Sequence, residues 1–197
     1  MQKPLSQSFR IVVADDEADM REYFEQILPR LGHTVVASAK DGRELVDRCR
    51  ELQPDLVITD IKMPQLDGIE AATLIYHNRP VPVILVSAHH SQSLIERAEM
   101  DHVMAYLVKP IKQQDLAPTI GLAVCRFDQF KTLRKEASDL RQALADRKVI
   151  ERAKGALMKK DNIDENEAFR RLQAQASEQN RKLVDVAAML LSGDLHR

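Results

Sequence analysis

The sequence predicts an α/β fold, a doubly wound five-stranded parallel sheet followed by a long coiled-coil helix and a small three-helix bundle. Three observations carry that prediction. Over the first 125 residues, short β-branched runs alternate with amphipathic stretches of a dozen or so residues, the pattern of repeated βαβ units. Several of those runs are too apolar to have a solvated face, which places them in a parallel sheet covered on both sides. Beyond about Gln113 the strand runs stop, and neither Gly nor Pro interrupts the chain between Gly121 and Gly155.

Five strands are expected, at Ile11 to Ala14, Thr34 to Ala37, Leu56 to Thr59, Val83 to Val86 and Ala105 to Val108. Helices are expected between them near 18 to 31, 42 to 52, 68 to 77 and 91 to 101, punctuated by Gly32, Gly42, Pro54, Gly68, Pro80 and Pro82. The long helix carries Leu133, Ala137, Leu140 and Leu144 at steps of four, three and four, a short heptad seam flanked by charges. After the break DNID, Asp164 with Glu167 three residues on resembles a capping box and opens a second helix, buried along Ala168, Leu172 and Ala176. A third, near Leu183 to Leu191, puts Val184, Ala187, Ala188 and Leu191 on one face and stops at Gly193. Such a bundle has little core, so pairing of the long helix with a second chain is expected to support it.

Composition narrows the class. An apolar fraction of 44% with 30% charged residues is that of a globular protein, and no run approaches the length of a membrane span. The first ten residues, MQKPLSQSFR, lack the apolar centre of a secretion signal, so a cytoplasmic location is expected. Cys49 and Cys125 stand far apart without metal or redox spacing and are expected to be buried apolar fillers. Residues 1 to 125 hold 13 basic and 18 acidic side chains, residues 126 to 197 hold 16 and 12. An acidic front and a basic back suit a two-part protein whose rear meets a polyanion.

In the front half the polar residues fall at strand ends. Asp15 and Asp16 follow the first strand, Asp60 ends the third, Ser87 the fourth and Lys109 the fifth. In a sheet of order 2-1-3-4-5, the first and third strands are neighbours at the switch point where such folds place ligands. Three carboxylates meeting there repel unless a cation joins them, and Mg²⁺, which accepts few protein ligands and keeps waters, fits. Asp60 is thereby placed as a nucleophile towards phosphorus, with Lys109 as the neutralising ammonium and Ser87 as a hydroxyl donor to a phosphoryl oxygen.

The stretches ADDE at 14 to 17, ITDIKMPQLDG at 58 to 68, VSA at 86 to 88 and YLVKP at 106 to 110 resemble the receiver domain of two-component response regulators. That resemblance covers residues 8 to 125 and implies a flavodoxin-like fold. It further implies phosphorylation of Asp60 by a histidine kinase, with slow autodephosphorylation. Mg²⁺ would be held by Asp15, Asp16, Asp60 and the backbone carbonyl of Lys62. Ser87 and Tyr106 would form the switch pair, Lys109 would contact the phosphate, and the bond before Pro110 would be cis. Serine at 87 keeps the hydroxyl of the commoner threonine, while Lys62 is an unusual side chain at its place. An enzyme of the aspartyl-phosphate hydrolase kind is disfavoured, because such enzymes use a DxD pair and Asp60-Ile61-Lys62 lacks the second acid.

The rear half crowds Arg147, Lys148, Arg152, Lys154, Lys159 and Lys160 into one stretch, with Arg170, Arg171, Arg181 and Lys182 beyond it. Phe169 is the sole aromatic residue after Phe130, which argues against stacking of single-stranded bases and for reading a structured nucleic acid. AKGALM at 153 to 158, then EAFRRL and RKLVDVA, resemble the ANTAR domain of transcription antitermination regulators. This implies an RNA-binding domain at 147 to 193, joined by a coiled-coil linker at 126 to 146. It implies a homodimer through 126 to 160, formed on phosphorylation, that grips hairpin RNA in leader transcripts and prevents termination. Arg152, Lys154 and Gly155 are the candidate RNA contacts, Gly155 admitting either close backbone approach or close helix packing. The alternative, a phospho-regulated DNA-binding transcription factor, is disfavoured because 183 to 191 is too apolar for a recognition helix.

Overall fold

The computed structural model describes residues 7–88 and 103–192. Its five strands are β1 (Arg10–Ala14), β2 (Thr34–Ala39), β3 (Leu56–Asp60), β4 (Val83–Ser87) and β5 (Val103–Val108), and its helices are α1 (Ala18–Arg30), α2 (Gly42–Leu52), α3 (Gly68–Asn78), α4 (Gln113–Asp161), α5 (Glu165–Glu178) and α6 (Leu183–Ser192). The helix expected at 91 to 101 and the stop at Gly193 lie outside the described residues. The chain divides into two compact units, Met1–Lys131 and Thr132–Arg197.

In the first unit all strands pair in parallel, in the order β2-β1-β3-β4-β5. Their two-residue side-chain period sorts the apolar runs into two layers. Ile11, Val13, Leu56, Ile58, Ile84 and Val86 face one side, against Phe24 and Leu28 of α1 and Leu116, Ile120, Ala123 and Phe127 of α4. Val12, Ala14, Val57, Val83 and Leu85 face the other, against α2 and α3. Burial of a large side chain such as Ile58 or Leu85 contributes about 2 kcal/mol, which is why the middles of β1, β3 and β4 are apolar. β2 runs two residues beyond its expected end, to Ala39, whose carbonyl accepts the Asp15 N–H at 3.1 Å.

Local chemistry sets the helix starts. Asp41 caps α2 by accepting the Glu44 N–H, and Asp67 with Glu70 forms a reciprocal capping box on α3. At α5 half of the expected box is present: Asp164 accepts the Glu167 N–H at 2.8 Å, while the Glu167 carboxylate is engaged by Arg171 Nε at 3.2 Å. Cys49 is buried, as expected, but Cys125 is exposed. The inward face of α4 recurs at Leu116, Ile120, Ala123 and Phe127, and position 125 points away from it.

The second unit has a core of its own, made by Ala153 and Leu157 of α4, Ala168, Leu172 and Ala176 of α5, and Val186 and Ala187 of α6. Residues 131–145 of α4 are exposed throughout. Among the described residues no helix is long and apolar enough to cross a membrane.

Candidate functional site

The carboxyl ends of the strands are level across the sheet. Ala14 pairs with Thr59 and Asp60 with Val86, so the residues that follow β1 and end β3 emerge side by side. Asp15 is fully buried and Asp60 is 6% exposed. Together with exposed Asp16 they offer three carboxylate oxygens that all lie within 4.8 Å of one another. Lys109, just past β5, brings its Nζ to 3.0 Å from Asp15 Oδ2, 3.0 Å from Glu17 Oε1 and 3.6 Å from Asp60 Oδ1. The Lys109–Pro110 bond is cis.

Backbone contacts hold this cluster in place. The Lys62 N–H donates to Asp60 Oδ2 at 3.1 Å and the Glu17 N–H to Asp15 Oδ1 at 3.0 Å. Arg21, a turn into α1, donates to the carbonyls of Asp15 and Asp16 at 2.7 and 3.1 Å. Gly68 donates to the Ile61 carbonyl, and a Cβ there would overlap the Asp60 carbonyl oxygen. A Cβ at Gly42 would likewise overlap the Leu66 carbonyl, so two glycines let the loop between β3 and α3 lie against its neighbours.

Burial pushes the Asp60 carboxyl up to about 6; the nearby Lys109 charge opposes this, while Asp15 and Asp16 add to it. Burial also acts to lower the Lys109 ammonium, but hydrogen bonds to Asp15 and Glu17 and the charges of Asp60 and Asp15 outweigh it, so its pKa lies above the usual lysine value. Asp15 Oδ2 is buried and meets the Lys109 ammonium at 3.0 Å. One ammonium shared among Asp15, Glu17 and Asp60 leaves the cluster with excess negative charge, which is costly where water is excluded. Three hard oxygen donors within 4.8 Å of one another fit a Mg²⁺ ion, which takes oxygen ligands and retains waters.

In the second unit, Arg152, Lys148 and Lys159 are exposed on α4. Lys154 is 7% exposed, and its Nζ is held by Glu151 at 2.9 Å and Glu165 at 2.6 Å, 5.7 Å from the Phe169 ring centroid. Hydrogen bonds to Glu165 and Glu151 raise its pKa. Gly155 is half-buried, and a Cβ there would meet nothing within 4 Å. Close helix packing, one of the two roles open to this glycine, is therefore not met among the described residues.

Residues 11–120 match the response regulator receiver domain family, and residues 138–191 match the ANTAR domain family. This chain is a response regulator. It is 40% identical over 182 residues, 92% of its own length and 89% of the relative's, to transcriptional regulatory protein PdtaR of Mycobacterium tuberculosis. The response regulator domain of Thermotoga maritima CheB superposes with a TM-score of 0.53 at 33% identity, over 61% of this chain and 96% of that one. A CheX-CheY-BeF3-Mg complex from Borrelia burgdorferi gives 0.54 at 25% identity, over 57% and 86%.

Receiver domains accept a phosphoryl group on an aspartate and bind Mg²⁺ at an acidic pocket, and ANTAR domains bind RNA. In this response regulator Asp15, Asp16, Asp60 and Lys109 converge as the strand-end spacing predicted. Ser87, which ends β4, is 9% exposed, and Tyr106 on β5 is 38% exposed. Glu17 and Arg21 carry no signal in the sequence beyond Glu17's place beside the acid pair. Their roles depend on where α1 begins relative to Lys109 and the two carbonyls, which no local pattern reveals.

Proposed function

We propose that this response regulator takes a phosphoryl group on Asp60 from a histidine kinase and in that state binds hairpin RNA in a leader transcript, preventing transcription termination. The observation that carries the first step is the meeting of Asp15, Asp16 and Asp60 within 4.8 Å beside the Lys109 ammonium. Asp60 Oδ1, on the side facing Lys109, attacks phosphorus as the bond to the kinase histidine breaks, giving an acyl phosphate. Lys109 exchanges a carboxylate partner for a phosphoryl oxygen. Asp15, Asp16, Asp60 and the Lys62 carbonyl would hold Mg²⁺, which when bound neutralises charge spreading over the phosphoryl oxygens. Autodephosphorylation is slow and serves to reset the switch.

The added charge draws the Ser87 hydroxyl towards the phosphoryl group, and Tyr106 turns inward into the space vacated. Residues 8–125 act as the receiver, 126–146 as a coiled-coil linker and 147–193 as the RNA-binding domain, with a homodimer forming through 126–160 on phosphorylation. The exposed leucines 133, 140 and 144 support that interface. The protein works in the cytoplasm. Arg152 and Gly155 are the better supported RNA contacts. Lys154 would reach RNA only by giving up two carboxylates, so its first role is to tie α4 to α5.

RNA crosslinked to the wild-type chain and to Asp60→Ala, recovered and sequenced, tests this reading. Leader hairpins enriched by wild type and lost in the variant are expected. Equal recovery in both, or displacement of hairpin RNA by duplex DNA, would sink it.

A further inference from the structure

The three carboxylates of the acidic cluster are not held alike. Asp15 is fully buried, its Oδ1 accepts the Glu17 N–H at 3.0 Å and its Oδ2 meets Lys109 Nζ at 3.0 Å. Asp60, at the end of β3, accepts the Lys62 N–H at 3.1 Å. Asp16 is exposed, and among the described residues its carboxylate has no hydrogen bond or ion pair. The direction of its side chain is therefore set by its backbone. That direction follows from the two rigid peptide planes flanking the Asp16 Cα, which carry the carbonyls of Asp15 and Asp16. Both carbonyls precede the Glu17 N-cap, whose own carbonyl takes the first helical bond from the Arg21 N–H at 3.3 Å, so α1 serves neither. Arg21 Nη1 does, donating to the Asp15 carbonyl at 2.7 Å and the Asp16 carbonyl at 3.1 Å. One guanidinium nitrogen thus spans both planes and fixes them relative to each other.

We propose that Arg21 is a positioning residue for the Mg²⁺ site, which it serves by aiming the Asp16 carboxylate towards Asp15 and Asp60. This rests on the metal reading of the acidic cluster and gives a cationic side chain the role of raising affinity for a cation. Charge alone acts the other way, because a guanidinium beside the cluster repels Mg²⁺. The two effects have opposite signs when the group is removed: lost charge tightens Mg²⁺ binding, lost aim weakens it. Aim prevails, since releasing a group that orients a metal ligand costs tenfold or more in affinity, whereas repulsion from a solvated charge is screened by salt.

Calorimetric titration of MgCl₂ into the full chain tests this, with urea denaturation in chelator run alongside. Arg21→Met keeps the apolar stem and loses the donors, and its Mg²⁺ dissociation constant is expected to rise about tenfold. Arg21→Lys keeps the charge but trades the planar fork for a flexible ammonium; a rise of about threefold is expected, and it carries the test if Arg21→Met does not fold. Arg30→Met, which removes an exposed guanidinium from the far end of α1, should bind Mg²⁺ as wild type does. In an Asp16→Ala chain, Arg21→Met should add less than about twofold, because the carboxylate it aims is gone. With acetyl phosphate, Arg21→Met should need about tenfold more Mg²⁺ for half-maximal phosphorylation yet reach a saturated rate within about twofold of wild type. Wild-type or tighter Mg²⁺ binding in Arg21→Met would overturn the proposal, whatever its urea stability, as would an undiminished effect in the Asp16→Ala chain. A wild-type chain that binds no Mg²⁺ would overturn the metal reading and this proposal together.

Discussion

Lys109 Nζ stands 3.0 Å from Glu17 Oε1, so the ammonium placed to meet a phosphoryl group is shared with a carboxylate that is itself 63% exposed. A pair this open to water is worth less than about 1 kcal/mol. Glu17→Gln removes that competitor and one negative charge from the path of an anionic phosphodonor. Phosphorylation by acetyl phosphate at saturating Mg²⁺ is expected to quicken about threefold. Initial rates measured on phosphate-affinity gels check this, and a slower variant would mean that Glu17 positions Lys109 productively.

Gly68→Ala puts a methyl group against the Asp60 carbonyl oxygen, which is backbone and has no room to swing aside. The loop between β3 and α3 must shift, at a cost of about 2 kcal/mol. Because the Gly68 N–H is also bonded to the Ile61 carbonyl at 2.8 Å, the shift passes to the segment that carries Asp60 and Lys62. Urea denaturation should report the loss of stability, and calorimetric titration should show Mg²⁺ binding weakened about tenfold. Unchanged Mg²⁺ affinity would separate the loop from the metal site.

The Asp60 carboxyl, pushed up to about 6 by burial, is protonated in the folded chain over a pH range in which the unfolded chain, with an ordinary carboxylate near pH 4, has released its proton. The folded state binds more protons there, so metal-free stability falls as pH rises through that window. Above pH 7 the charged Asp60 opposes folding by on the order of 2 kcal/mol. Asp60→Asn should therefore be the more stable chain in the presence of a chelator at pH 7.5. The difference should shrink towards pH 4, where both side chains are neutral, and shrink again when Mg²⁺ is restored to the wild type. Denaturation curves at four pH values check the sign.

These contacts also show which features sequence could reveal. The strands were legible because β-branched runs and strand-end acids obey a local period, and Asp15, Asp60, Ser87 and Lys109 could be placed by register alone. Glu17, Arg21, Gly42 and Gly68 have no role legible in the sequence, because each acts on a neighbour fixed by chain packing; Gly68 has the sequence signature of punctuation and serves as a clearance. In the sequence Lys154 stands in a basic run and reads as a candidate RNA contact. Its burial depends on Glu165, eleven residues away on another helix, and that pairing has no local signature. Cys125 was misplaced for the same reason, since the inward face of α4 could be located only once Phe127 and Leu116 had met the sheet.

Leu140, 64% exposed within a helix stretch that is exposed from 131 to 145, joins no apolar core among the described residues. If α4 pairs with α4 of a second copy, Leu133, Leu140 and Leu144 are buried there, each contributing about 2 kcal/mol per chain. Leu140→Glu then sets two like charges facing each other across the seam. Sedimentation velocity of the chain treated with beryllofluoride and Mg²⁺ should show a dimer for wild type, and for Leu140→Glu a dissociation constant raised about 100-fold or more. Thermal unfolding of the dilute, monomeric chain should not distinguish the two, because the position is already solvated there. A variant that dimerised as tightly as wild type would remove the seam from the interface and require another surface to join the two chains.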